Sequence, residues 1–267
     1  MTPINREEIQ SQLRNQIIGQ KILAFGDIRS TNEYAKRLAR SGEPEGCLVI
    51  AEHQTRGKGR LNRFWYSPGG QGLWFSIILR PDIEIKKSSL FALLAAVSVS
   101  QAIETVTTLK TELKWPNDIL VHGKKMCGIL IESDLTHEKL DFLVMGIGIN
   151  VSQKKKDFDH NLRNRATSLF IETKYSPNRI KLLIAVLHSL ESYYEKLKSG
   201  QVAEILDSWL LKCRHREKPI IIHQGHYECE GIFEGVDEYG RMVLRTSDGN
   251  TQIVASGEVF TDLNLTA

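Results

Sequence analysis

The chain has 267 residues, 41% of them hydrophobic and 25% charged, with a net charge of +3. That length suffices for one large domain, or a larger and a smaller one, with a sizeable core. A balance this close to neutral makes no general demand for a nucleic-acid partner, and Cys47, Cys127, Cys213 and Cys229 are too widely spaced for a zinc site or a disulfide framework.

Such cysteine usage fits a reducing cytosol. Residues 1–16 are polar and charged and read as carrying no signal peptide. The longest apolar run, residues 90–99, contains Ser98 and falls short of the about 20 residues that cross a bilayer, so no membrane is expected.

Ile4, Ile9, Leu13 and Ile17 recur at near-helical spacing and predict a short helix. Residues 22–25 read as a strand. Ser30 followed by Glu33 is a capping box that opens a helix running to about Ala39. The helix N-terminus carries Ser30, Thr31 and Asn32, which serve as plain caps or as a polar pocket for a small ligand; spacing alone favours the cap. Residues 47–51 form a buried strand and residues 72–79 the next one. The loop between them thus joins two strands of one sheet.

That loop is the most unusual stretch of the chain. Arg56, Lys58, Arg60 and Arg63 are interleaved with Gly57 and Gly59, Phe64, Trp65 and Tyr66 follow, and no acidic residue lies between Glu52 and Asp82. A helix this basic normally carries carboxylates one turn away, and the glycines disfavour a helix. The expectation is a mobile cationic lid that closes over a phosphate, with Trp65 available to stack on a flat ring. A solvated basic turn is the bland alternative.

Residues 86–109 predict a long amphipathic helix with Leu90, Leu93, Leu94, Val97 and Ile103 on one face. A strand containing Leu113 ends at Pro116, because proline cannot donate to a ladder. Asn117 and Asp118 turn the chain into residues 119–121, and Gly123 into a strand over 125–132 with Gly128 at its centre. Residues 142–150 form another glycine-punctuated strand. Residues 153–165 read as a surface loop, and 177–198 and 202–213 as helices. Beyond Glu217 short strands over 220–223, 227–233, 242–245 and 252–254 alternate with turns at Gly225, Gly240 and Gly249, predicting a small SH3-like barrel. The domains are therefore 1–217 and 218–267, and their short charged linker predicts docking of one on the other.

Ser30-Thr31-Asn32, the loop from Gln54 to Arg63, Lys114-Trp115-Pro116-Asn117-Asp118, the Gly128 strand and Gly146-Ile147-Gly148-Ile149-Asn150 occur in the order found in biotin protein ligases, which this chain resembles over about residues 22–260. The resemblance is to the short form, without an N-terminal winged helix-turn-helix. It implies an α+β fold: a mixed, largely antiparallel sheet with helices packed on it, class II synthetase-like and shared with lipoate ligases, plus the C-terminal SH3-like barrel.

The resemblance also implies that biotin is activated by ATP, with Mg2+, to biotinyl-5′-AMP and then transferred to a lysine of a biotin carboxyl carrier protein. On this reading Lys114 and Arg60 are catalytic. Ser30, Thr31, Asn32, Gln54, Lys58, Gly59, Arg60, Lys114 and Gly128 bind biotin, and Arg60, Arg63, Trp65, Lys114 and Asn150 bind ATP or the adenylate. No motif fixes metal ligands. A cytoplasmic homodimer that binds no DNA is implied as well. Lys58 departs from the arginine usual at its position, keeping the charge but losing the two-pronged grip on an oxygen pair. A lipoate- or octanoate-type acyl ligase on the same fold and a nucleic-acid-binding protein are the competing readings. An octanoyl transferase on this fold would want an activated cysteine, which Cys127, in an apolar strand, does not suggest.

Overall fold

The computed structural model describes residues 4–13, 16–136, 139–225 and 227–260. Its larger sheet has seven strands in the order β1 (Lys21–Ile28), β2 (Cys47–Gln54), β3 (Gly72–Leu79), β7 (Lys139–Asn150), β6 (Lys124–Thr136), β5 (Asp118–Val121) and β4 (Glu112–Lys114). Only β1 and β2 pair in parallel, because helix α2 (Thr31–Arg40) crosses over between them. The other neighbours are antiparallel. Strand β3 is buried along its whole length, as its sequence GLWFSIIL suggests for a strand covered on both faces. On one face Leu48, Ile50, Phe75 and Ile77 join the main core under helices α3 (Leu90–Val106) and α5 (Arg179–Lys198). On the other, Val49, Ile78 and Val144 pack against Ala35 and Ala39 of α2.

Helix α3 differs from expectation. It starts at Leu90, residues 85–87 forming a separate 3-10 turn, and Phe91, Ala95 and Val99 are buried as completely as the predicted face. Helices α5 and α6 (Val202–Leu211) cover its outer side, so a two-sided apolar pattern replaces the amphipathic one. By length and composition alone, residues Ile85–Val106 would pass for a membrane span; 67% of that window is buried inside the protein.

Helix α1 (Arg6–Gln12), capped by Asn5, covers the N-terminal edge. A short helix, α4 (Leu169–Thr173), follows the loop after β7 and was not foreseen, since five residues show no periodicity. The linker is itself part of the sheet: Leu113 N donates to Lys212 O (2.8 Å) and Arg214 N to Leu113 O (2.9 Å) alongside β4. A five-stranded antiparallel sheet follows, in the order β11 (Thr251–Val254), β10 (Met242–Arg245), β9 (Tyr227–Val236), β8 (Pro219–Gln224), β12 (Glu258–Phe260). The unforeseen β12 has only three residues. This second sheet docks as predicted. Trp115 Nε1 donates to Gly240 O (3.2 Å), Ser89 Oγ donates to Tyr239 O (2.7 Å), and Trp209 packs beside Phe233 in a core continuous with the larger sheet.

Candidate active site

The head of α2 forms a buried polar pocket. Ser30 caps the helix, its Oγ accepting from Glu33 N. Thr31 N donates to Gln54 Oε1 (2.8 Å), Gln54 Nε2 donates to Ser67 Oγ (2.8 Å), and Ser76 Oγ donates to Asn32 Oδ1 (2.6 Å). Asn32 Nδ2 donates to Glu132 Oε2 (2.9 Å), and Lys36 holds the other oxygen of that carboxylate at 3.0 Å. Thr31, Asn32, Gln54 and Ser76 are each at most 7% exposed. Ser30 is therefore a cap, and its neighbours form a buried network of polar side chains bonded to one another. The second half of the capping box is absent. Glu33 turns its carboxylate to Arg29 (3.1 Å) and Lys58 (2.5 Å), because a cation binds it more strongly than a neutral amide. Lys58 accordingly holds the Glu33 carboxylate well below its ordinary range.

The cationic loop is a narrow hairpin. Trp65 N donates to Gly57 O (2.9 Å) and Gly59 N to Arg63 O (2.8 Å), closing a tip in which Leu61 and Asn62 have φ of 54° and 58°. Carboxylates and an amide from elsewhere hold its cations: Lys58 pairs with Glu33, and Arg60 Nη1 donates to Asn117 Oδ1 (3.3 Å). Arg63 grips Glu258 of β12 with both prongs, at 2.6 and 2.5 Å. Burial pushes the Arg60 guanidinium below its ordinary pKa, against the pull of Asp118 and Glu258.

Lys114 ends β4, directly across the ladder from Asp118. Its ammonium has no hydrogen-bond or ion-pair partner among the described residues. Burial lowers its pKa; Asp118 and Glu258 oppose that shift, and Lys125 and Arg214 add to it. Asp118 is already engaged by Lys125 (2.6 Å), and Asn117 Nδ2 donates to Ile129 O (2.5 Å), fixing the turn that carries Arg60's acceptor. The result is a half-buried cluster of Lys114, Arg60, Arg63 and Lys125 with more positive than negative charge, suited to an anion.

The profile of the Biotin/lipoate A/B protein ligase family matches residues 25–150, and that of the Biotin protein ligase C terminal domain matches residues 215–261. The Bifunctional ligase/repressor BirA of Bacillus subtilis is 35% identical over 256 residues, covering 95% of this chain and 78% of that protein. The chain belongs to the biotin protein ligase family. The Biotin–[acetyl-CoA-carboxylase] ligase of Paracoccus denitrificans is 30% identical, covering 86% of this chain and 96% of that one. The Aquifex aeolicus biotin protein ligase, solved with biotin and ATP, superposes with a TM-score of 0.78 at 31% identity, covering 90% and 98% of the two chains. Biotin protein ligase activity is therefore the function of this chain.

In this biotin protein ligase Trp65 lies on a glycine floor. A Cβ on Gly148 would come within 2.3 Å of its Nε1, and one on Gly128 within 3.0 Å of its ring. Lys125 sits over the same ring, 5.3 Å from its centroid, and Nε1 is buried without a partner. Gly146 serves Asn32 likewise, since a Cβ there would meet Oδ1 at 1.9 Å. Asn150 is not brought into this group: its amide donates to Thr167 O (3.0 Å) and accepts from Gln153 Nε2 (3.0 Å), bracing the chain after β7.

Sequence reasoning left several residues unassigned. Ser76 is a lone hydroxyl in an otherwise apolar strand, a readable signal. Glu132, Asn117 and Asp118 stood in the motifs without roles. Glu258 gave no signal, since its partner is 195 positions away. Cys127 is 0% exposed and burial pushes its thiol far above the ordinary range, so it is no nucleophile. An open cavity of about 520 Å³ beside Tyr66 at the loop's base is separate from Lys114, and its charged lining is self-paired, His53 with Asp27 and Arg179 with Glu52.

Proposed function

We propose that the enzyme activates biotin with ATP and passes it to a lysine of the biotin carboxyl carrier protein of acetyl-CoA carboxylase. In the first step a biotin carboxylate oxygen attacks the α-phosphorus, and pyrophosphate leaves with the electrons of the broken P–O bond. In the second, the carrier lysine's neutral amine attacks the acyl carbon, AMP leaves, and the amine gives up a proton. Neither step needs a protein nucleophile. Both bring anions together or send one away, and fixed cations lower that cost.

The observation that carries this reading is the unpaired, half-buried ammonium of Lys114. On this reading it bridges the biotin carboxylate and the α-phosphate. Arg60 closes over both, and Lys58 and Gly59 take part once Glu33 is exchanged for ligand. The donors and acceptors of Thr31, Asn32 and Gln54, with Ser30 and Gly128 beside them, receive the ureido ring, which needs fixed partners for two N–H groups and a carbonyl. Arg63 takes phosphate oxygens and Trp65 is the platform for adenine. Asn150, bonded to Thr167 and Gln153, keeps a second N–H and a second lone pair for the adenylate side. Among the described residues no three His, Cys, Asp or Glu side chains converge on a metal position. A magnesium ion would be carried on phosphate oxygens, where it would neutralise charge, with Asp118 across the ladder from Lys114.

This reading also includes a division into catalytic residues 1–217 and C-terminal residues 218–267, a homodimer and a cytosolic location, the last supported by four free cysteines. Biotin-dependent ATP–pyrophosphate exchange that does not occur with lipoate is the expected result. Exchange driven by lipoate, or none with biotin, would overturn it.

A further inference from the structure

The C-terminal sheet contributes one side chain to the cation cluster. Glu258, on three-residue strand β12, reaches Arg63 with both carboxylate oxygens, at 2.6 and 2.5 Å. Two parallel charge-assisted bonds are how an arginine also takes a phosphate. The same carboxylate acts on Lys114 and Arg60, and Arg63 holds its pKa below the ordinary carboxylate range. Asp118 is committed to Lys125; Glu33, on Lys58, and Glu258, on Arg63, are the carboxylates held by the hairpin, and Glu258 is the one from the C-terminal sheet. The pair is half exposed, at 62% and 32% of the two side chains. Such a pair is weak, and a polyanion in better reach of several cations displaces it.

We propose that Glu258 is a positioning residue for nucleotide entry: it holds Arg63, and with it the cationic hairpin, as an internal substitute for ATP's phosphates, and binding exchanges the carboxylate for phosphate oxygens. The inference rests on the reading of Arg63 as a nucleotide ligand. It gives the C-terminal sheet a direct part in ATP recognition, beyond its docking on α3. It also explains why the bond joins a lid to a different domain. Glu258 bonds Arg63, the hairpin cation assigned to phosphate oxygens and not to biotin, so its loss acts on the KM for ATP.

The test compares four forms of the full-length enzyme in initial-rate assays with ATP and biotin varied in turn. Glu258→Gln removes the charge at nearly constant shape. It is expected to lower the KM for ATP by about two- to fivefold, the range of a half-exposed ion pair, and leave that for biotin unchanged. Glu258→Asp keeps the charge and should return toward wild type. Arg63→Ala should raise the KM for ATP by roughly ten- to a hundredfold, and adding Glu258→Gln to it should change nothing further. A purely structural joint predicts the reverse for Glu258→Gln, an unchanged or raised KM for ATP, and that outcome overturns the clasp. If Arg63→Ala leaves the KM for ATP unchanged, the nucleotide reading of Arg63 fails and the proposal goes with it.

Discussion

The pocket at the head of α2 and the cationic hairpin beside it satisfy their polar groups in opposite ways. In the pocket, Thr31, Asn32, Gln54 and Ser76 are nearly inaccessible and bond one another through short side chains fixed on a helix and two strands. In the hairpin, Leu61 is 74% and Phe64 63% exposed, and three of the four cations, Lys58, Arg60 and Arg63, borrow a partner from elsewhere, Glu33, Asn117 and Glu258. The first arrangement is preorganised, as recognition of a rigid neutral ring requires. The second is made of exchangeable contacts, as capture and release of charged groups requires. Lys114 stands at their meeting point with no partner of its own among the described residues.

The sharpest test of that division is Lys114→Ala. On its proposed role its cation acts where two anions meet, so the ligation rate should fall on the order of 10²-fold or more, with an unchanged circular dichroism spectrum. Near-normal biotinylation of a carrier domain by this variant would refute the assignment. Next in size is Arg60→Gly, which strips the lid of the cation anchored on Asn117. This variant should still form biotinyl-AMP but let it escape about ten- to a hundredfold faster, the worth of one charge-assisted bond. Bystander albumin should then become biotinylated in a hydroxylamine-quenched way; an enzyme that makes no adenylate at all would instead place Arg60 in the first step.

On the pocket side, Ser76→Ala leaves Asn32 Oδ1 buried and short of its donor. A loss of about 1–3 kcal/mol follows, seen as a KM for biotin raised roughly tenfold with the KM for ATP unaltered. Equal changes in both would mean that pocket and lid are one unit. The smallest effect concerns the joint beside Lys114. His215 is 1% exposed, both ring nitrogens lack partners, and its pKa is pushed down to about 3, first by burial and then by Lys114, Arg214 and Lys218. Its folded pKa lies below the unfolded value, so the unfolded chain binds the proton. Stability is therefore unaffected above about pH 6.5 and falls as pH drops below it, by up to about 1.4 kcal/mol per pH unit. Melting temperatures of His215→Leu between pH 6.5 and 4.5 should decline less steeply than those of wild type; parallel curves would show that His215 does not titrate in this way.

Much of this was legible in the sequence. The strands around Val49, Phe75 and Val144 announce themselves by apolar runs bounded by glycine and proline. Ser30 announces a helix start by its place before Glu33, and the glycine-interleaved cations announce an anion-binding loop. Those are local properties: propensity, periodicity and charge density along a few residues. The direction of the loop's cations was not local. Lys58, expected on the ligand, meets Glu33 here, and Asn150, expected at adenine, bonds Gln153 and Thr167. Helix α3 read as amphipathic because its outer cover, α5 and α6, comes from far later in the chain, starting at Arg179.

The sequence by itself determined that a two-part α+β protein would present a cationic loop, a lysine at a strand end and a hydroxyl–amide helix head, because each of these is written in residue type at short spacing. Only the tertiary structure decided what each charge faces. Ion pairs form between residues such as Arg63 and Glu258 that no spacing relates, and whether Lys114 is paired or unpaired depends on every carboxylate the fold brings near it. Glycines 146 and 148 show the same division: their presence is sequence, but their need comes from Asn32 and Trp65 resting against the backbone. Chain connectivity sets neighbours a few residues apart, and packing sets the rest.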